Sequence, residues 1–167
     1  ALERNVIMLR TLSIRDFVIV DSLELEFDSG FTVLTGETGA GKSILIDALA
    51  LTLGERGDAS VVRAGCERAD ISAEFDVQAL PELVQWLRTA DLEGDPGLVL
   101  LRRVIDRNGR SRAFVNGRPA TQSQLREAGE WLLDIHGQHA HQSLLKSDAQ
   151  RTLLDAHAGL APLAAQV

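Results

Sequence analysis

The stretch TGETGAGKSILIDALALTLG, Thr35–Gly54, constrains this chain more than any other. Within it, Gly36-Glu37-Thr38-Gly39-Ala40-Gly41-Lys42-Ser43 fits the pattern G-x-x-x-x-G-K-[ST]. The pattern follows GFTVLTG, which reads as a strand, and opens the apolar run Ile44–Leu53, which reads as a helix. Strand, loop and helix in that order are the setting in which the pattern carries chemistry. Glycines let the backbone curl so that several N–H groups aim at one phosphate chain, and the helix N-terminus adds partial positive charge at the same spot. Lys42 supplies a full charge for the β- and γ-phosphates and Ser43 a hydroxyl for Mg²⁺. Residues Gly36 to Ile44 are therefore the candidate nucleotide-binding set, with ATP and Mg²⁺ as cofactors. A glycine turn beside a stray lysine accounts for neither the full spacing nor the flanks.

The rest of the chain reads as sheet with helices set against it. TLSIRDF and DSLELEF alternate apolar and polar residues, so each predicts a half-buried strand. Leu12 and Ile14 share one face; Leu23, Leu25 and Phe27 share another. GFTVLTG is more continuously apolar, as a central strand is. Ile44–Leu53 is apolar nearly all round, which predicts a buried helix, and Gly54 is its stop. ADISAEFDV alternates again, with Ile71, Ala73, Phe75 and Val77 on one side. Residues 81–90 begin with proline and read as a short helix. GLVLLRRVIDRNGRSRAFVNG holds two β-like runs joined around Asn108-Gly109, a hairpin signal, and Asn116-Gly117 marks the next turn. TQSQLREAGEWLLDI predicts a helix capped by Thr121. Ser147 or Asp148 opens another, running to about His157 and ended by Gly159. Residues 1–7 read as an extension ahead of a natural start at Met8, residues 8–159 as one lobe, and residues 160–167 as the start of a further apolar segment.

At 167 residues, one domain or one large lobe is expected. The single cysteine, Cys66, excludes an internal disulfide, fits a reducing compartment and reads as a small buried filler. No apolar run reaches the ~18 residues that a membrane span needs. A net charge of −7 argues against a dedicated nucleic-acid coat. Against that trend, Arg102, Arg103, Arg107, Arg110, Arg112 and Arg118 crowd one short stretch. Two readings stay open. One is a solvated hairpin whose charges discourage edge pairing. The other is a phosphate-binding surface in which Arg102, Arg103, Arg107, Arg110 and Arg112 touch the DNA backbone. Base readout is not expected, because nothing resembles a recognition helix.

LSIRDFVIVDSLELEFDSGFTVLTGETGAGKSILIDAL resembles the N-terminal half of the ATPase head of SMC-like proteins. LLDIHGQHAHQSLL resembles the bacterial DNA double-strand-break repair branch of that family and is unlike SMC or RecF. The resemblance runs from Met8 to about Gly159. It implies an α/β fold of the P-loop NTPase class: the N-terminal lobe of an ABC/SMC-type ATPase head, with an antiparallel β-meander beside a mixed sheet and flanking helices. Such heads are split in sequence. The resemblance therefore implies, as partners, a C-terminal lobe of the same full-length chain beyond a coiled coil, a second head in an ATP-sandwich homodimer, and DNA bound through its backbone. It implies no membrane and a place in the bacterial cytoplasm, at the nucleoid. The signature motif, Walker B acid pair and switch histidine of the second lobe are not in this sequence. EWLLDIHG, with Asp134, is the nearest look-alike to a Walker B, but it lacks the neighbouring glutamate and falls where the family places its Q-loop. The Q-loop glutamine reaches Mg²⁺ and the attacking water. Gln138 is the candidate for that role, with Gln142 as the alternative. Arg63, in VVRAG, stands where related heads carry a basic residue close to the nucleotide; an ordinary surface arginine is the other reading. His136, His139 and His141 raise a metal site, but no cysteine lies nearby and H-x-x-H-x-H is not a standard ligand spacing. Hydrogen bonding around the nucleotide, or an interface, suits them better.

Three functions stay open. The first is a DNA-repair ATPase head that hydrolyses ATP only with its second lobe and with head–head engagement. The second is a P-loop kinase of a small molecule, and the third a nucleotide-binding interaction module without turnover. A β-meander ahead of the loop favours the first, since P-loop kinases usually begin with the loop.

Overall fold

The computed structural model describes residues 8–28 and 40–132. The expected strand GFTVLTG, loop residues Gly36 to Gly39, Gln138, Gln142 and the three histidines of the HGQHAHQ segment lie outside the described residues, as does the helix expected after Ser147. The described residues all belong to one compact unit.

Six strands form one sheet in the order β2-β1-β3-β4-β5-β6, each neighbour antiparallel to the next. They are β1 (Met8–Phe17), β2 (Val20–Glu26), β3 (Arg68–Asp76), β4 (Leu98–Asp106), β5 (Ser111–Val115) and β6 (Arg118–Ala120). Period-two patterning decides which face is buried. Leu12 and Ile14 of β1, Ile71, Ala73 and Phe75 of β3, Val99, Leu101 and Ile105 of β4, and Ala113 and Val115 of β5 are all buried. Cross-strand register keeps these residues on one face: Ile14 lies opposite Ile71, Ala73 opposite Leu101, and Leu101 opposite Val115. Each fully buried large side chain contributes about 1.5–3 kcal/mol relative to exposure.

Helix α1 (Ala40–Thr52) packs on β1, β3 and β4, and α3 (Gln122–Leu132) packs on β5. The sequence predicted α1 to be buried nearly all round. It is not: Ile44, Ala48, Ala50 and Leu51 are buried, while Ile46 is 50% exposed and Asp47 faces solvent. A helix lying on a sheet has one face to bury, so its composition overstates its burial. Gly54 ends α1 as expected, with φ +94°. The Glu55 amide donates to Ala50 O (3.1 Å) and the Gly54 amide to Leu51 O (3.2 Å), the paired bonds of a Schellman motif. Helix α2 (Pro81–Thr89) opens on its proline and buries Leu83 and Leu87. Thr121 caps α3 reciprocally: its Oγ1 accepts from the Gln124 amide (3.1 Å), and its own amide donates to Gln124 Oε1 (2.9 Å).

Both Asn-Gly pairs form hairpin turns, by different routes. Asn116 and Gly117 have φ +50° and +76°, the two-residue type I′ geometry. At Asn108-Gly109 only the glycine is left-handed (φ +80°). There the Gly109 amide donates to Asp106 O, and the Asp106 carboxylate accepts from the Asn108 and Arg110 amides, which builds a longer loop.

Helix α3 crosses the end of α1 with no space between them. A Cβ on Gly129 would lie 2.5 Å from Leu53 O. Alanine at 129 gains about 1 kcal/mol of helix propensity but presses a methyl onto fixed backbone, at about 1–3 kcal/mol. Gly129→Ala is therefore expected to lower the urea or thermal unfolding midpoint; a midpoint equal to or above wild type would show that the two helices separate without cost.

Candidate functional site

The first turn of α1 carries Gly41, Lys42 and Ser43. Gly41 and Ser43 are exposed and Lys42 is half-buried. No acidic residue occupies this turn, so nothing on the helix itself opposes an anion there. The first four amides of a helix have no partner inside it and carry the positive end of its dipole. A lysine and a hydroxyl beside such amides can hold a phosphate chain, and the Ser43 side chain is at the surface. Ile44 completes the predicted set, but its side chain is buried, so its contact with a ligand runs through the backbone.

Arg63 is tied to the β1–β2 hairpin. A short 3₁₀ turn, Ala59–Val61, is capped by Asp58, whose carboxylate accepts from the Ser60 amide (2.8 Å) and hydroxyl. Those bonds hold the Asp58 carboxyl below its usual range. The chain then runs beside β1: the Val18 amide donates to Val61 O, and the Arg63 amide to Asp16 O. The Arg63 guanidinium lies 2.9 Å from Asp21 and 3.8 Å from Asp16. Cys66, expected as a buried filler, is only half-buried and donates its thiol to Asp16 Oδ1 (3.3 Å). That bond raises the thiol pKa. This group spans β1, β2 and the segment after the 3₁₀ turn, a clustering that no spacing in the sequence announced.

The arginine stretch divides into three kinds. Arg102 is held bidentately by Asp70 and lies 5.5 Å over the Phe114 ring. Arg107 pairs with Glu67 (3.0 Å) and Arg118 with Asp91 (2.7 Å). Arg103 is 1% exposed, which removes it from the expected DNA-contact set. Its Nη1 donates to Leu51 O (3.3 Å) and Glu55 O (3.2 Å), and its Nε to Ser111 Oγ. Adjacent arginines on a strand point to opposite faces, so one of Arg102 and Arg103 had to enter the core. Arg110 and Arg112 are exposed and have no ion pair or side-chain hydrogen bond among the described residues. Among the same residues no cluster of histidine, cysteine and carboxylate side chains fits a metal ion, and no helix is long and apolar enough to cross a membrane.

Comparison with known proteins places this arrangement. The sequence matches the AAA domain family over residues 11–158. It is 52% identical over 151 residues to the DNA repair protein RecN of Xylella fastidiosa (strain Temecula1), covering 90% of this chain and 27% of that protein. RecN of Vibrio cholerae is 50% identical over 157 residues, covering 93% and 28%. RecN of Bacillus subtilis is 41% identical over 152 residues, covering 91% and 26%. The chain thus spans about a quarter of the length of these curated relatives. Among solved structures, the Smc head domain with an extended coiled coil from Pyrococcus furiosus aligns with a TM-score of 0.67 at 22% identity, over 96% of this chain and 44% of that one. An SMC ATPase structure aligns with a TM-score of 0.63 at 23% identity, over 88% and 97%. The fold is that of the SMC-type ATPase head, and the chain belongs to the AAA domain family, similar along nearly its whole length to the RecN proteins.

Proposed function

We propose that this chain is the nucleotide-binding lobe of an SMC-like DNA-repair ATPase, and that it binds Mg·ATP at the amino end of α1. The observation that carries the reading is the first turn of α1, where Gly41, Lys42 and Ser43 of the glycine-loop pattern sit on a helix N-terminus free of acidic residues. In this reading Gly36 to Gly41 wrap the phosphates with backbone amides, Lys42 neutralises the β- and γ-phosphates, Ser43 and Gln138 hold Mg²⁺, and Arg63 lies near the nucleotide. Bound Mg²⁺ supplies charge neutralisation between the outer phosphates. A C-terminal lobe of the same full-length protein and a second head complete the site; the RecN relatives, of which the chain covers about a quarter, support that need. Residues 8–159 form the lobe, and residues 160–167 lead toward a coiled coil.

Isothermal calorimetry tests the nucleotide site. Lys42→Ala is expected to abolish Mg·ATP and Mg·ADP binding, or weaken it by at least tenfold, while circular dichroism stays unchanged; equal affinity in the two proteins overturns the site. The 167-residue chain is expected to hydrolyse ATP negligibly, because transition-state donors worth about 3–4 kcal/mol each belong to the second lobe. Robust turnover by the chain that Lys42→Ala abolishes would overturn that division of labour and favour a P-loop kinase or a self-sufficient ATPase.

DNA contact, in this reading, falls to Arg110 and Arg112, the two exposed members of the arginine stretch that no acid answers among the described residues. Arg112 borders a hollow of about 460 Å³ whose lining holds no carboxylate. Each phosphate contact adds about −0.9 to the slope of log K against log salt. Changing Arg110 and Arg112 together to alanine in the full-length protein is expected to flatten that slope by up to about 2 and weaken all sequences alike. An unchanged slope and affinity returns the two residues to a solvated hairpin.

A further inference from the structure

We propose that Arg103 is a positioning residue for the nucleotide: it holds the carboxyl end of α1 so that the amino end meets the phosphates in register. The inference rests on the nucleotide reading above. Arg103 stands on β4 between Leu101 and Ile105, in the row of side chains that faces the core. Among the described residues no carboxylate pairs with it. Its charge is met instead by two carbonyls, Leu51 O and Glu55 O, at the last turn of α1 and just beyond it. Leu51 O lies at the negative end of the helix dipole, which suits a cation. The Arg103 Nε is fixed on Ser111 Oγ of β5.

An apolar side chain of the same length would fill this space at less cost, since replacing buried charges by apolar groups is often neutral or stabilising. What it cannot do is fix the helix along its axis. One guanidinium whose Nη1 meets two carbonyls four residues apart, and whose Nε is held by a second strand, sets both the rotation of α1 and its position along its length. The surroundings leave little slack, against backbone at two positions and side-chain ends at a third. A methyl on Gly54 would meet the Arg126 backbone at 2.6 Å, one on Gly57 the Leu51 side chain at 2.7 Å, and one on Gly129 the Leu53 carbonyl at 2.5 Å. All three glycines surround the end of α1 that Arg103 holds. A helix of thirteen residues is a rod of about 18 Å between its end residues. A shift at Arg103 is therefore delivered at Lys42.

The test compares Arg103→Met, Arg103→Lys and Ser111→Ala in the 167-residue chain, reading the thermal midpoint without nucleotide and the Mg·ATP dissociation constant by calorimetry. Arg103→Met is expected to keep a midpoint near wild type and to lose about tenfold in affinity, the equivalent of one to two hydrogen bonds. Arg103→Lys, whose ammonium can donate to the carbonyls but which has no Nε to hold Ser111, is expected to recover part of the loss. Ser111→Ala, at an exposed position, is expected to lose about two- to threefold with an unchanged midpoint. Wild-type affinity in a folded Arg103→Met variant overturns the proposal, and so does an affinity loss that merely tracks the midpoint across the three variants. Should Arg103→Met fail to fold, Ser111→Ala decides: unchanged affinity there overturns it, and a loss at constant midpoint upholds it. Wild-type protein that binds Mg·ATP independently of Lys42 would overturn the nucleotide reading itself. Binding that needs Lys42 and ignores Arg103 overturns only the positioning role.

Discussion

The Arg103 guanidinium lies in the core with one carbonyl from the last turn of α1, one from just beyond it and one serine hydroxyl as partners, and the packing around it follows from those partners. A buried cation without hydrogen bonds costs several kcal/mol. To meet it with carbonyls, the last turn of α1 must lie against β4, and the chain that leaves α1 must turn at once so that Glu55 O also faces the guanidinium. Gly54, left-handed at +94°, makes that turn. Leu51 O serves twice, accepting from the Gly54 amide and from Arg103, as the two lone pairs of a carbonyl allow. Helix α3 then closes over the same end, with Gln122 Nε2 reaching Gly54 O (3.4 Å). One side chain thus makes sheet, loop helix and following helix mutually dependent.

Much of the scaffold was legible in local pattern. Alternation in ADISAEFDV placed Ile71, Ala73, Phe75 and Val77 on the buried side, and all four are buried. Thr121 and Gly54 mark helix ends through caps that depend on only a few neighbouring residues. The misses share a cause: they concern partners distant in sequence. LLRRVID shows two arginines, and parity alone says that Arg103 shares a face with Leu101 and Ile105, yet charge density drew both arginines into one expected surface. Nothing local states that Leu51 O and Glu55 O wait opposite, some fifty residues earlier. Cys66 is similar, since its partner, Asp16, lies on β1. Of the candidate site, the sequence pattern names every residue of the loop and the helix that follows it, and the structure places Lys42 and Ser43 in the first turn of that helix.

Charge in this chain is organised by pairing more than by total. At −7 the lobe repels polyanions at long range, and the Debye length of about 8 Å at physiological salt confines any attraction to close approach. Arg102, Arg107 and Arg118 each have an acid within reach, so their contribution to an external phosphate is already offset. Exposed pairs of this kind add little stability, at most about 1 kcal/mol. Their effect is to leave the unmatched positive charge of the hairpin at Arg110 and Arg112, on either side of the Ser111 that anchors Arg103.

That placement separates two groups of cationic side chains along one helix. Lys42 and Ser43 occupy the amino end of α1, and the hairpin residues Arg103 and Ser111 join its carboxyl end, about 18 Å away. The two ends differ in sign as well as in place. The amino end favours anions through its amides and dipole, whereas the carboxyl end repels them, and a cation must stand there before any anion can approach. Arg103 neutralises the carboxyl end from within the core, which leaves the outward charge of Arg110 and Arg112 uncompensated by the helix carbonyls. The cations at the two ends are therefore separate sets: Lys42 at the amino end of α1, and Arg110 and Arg112 on the hairpin beside its carboxyl end.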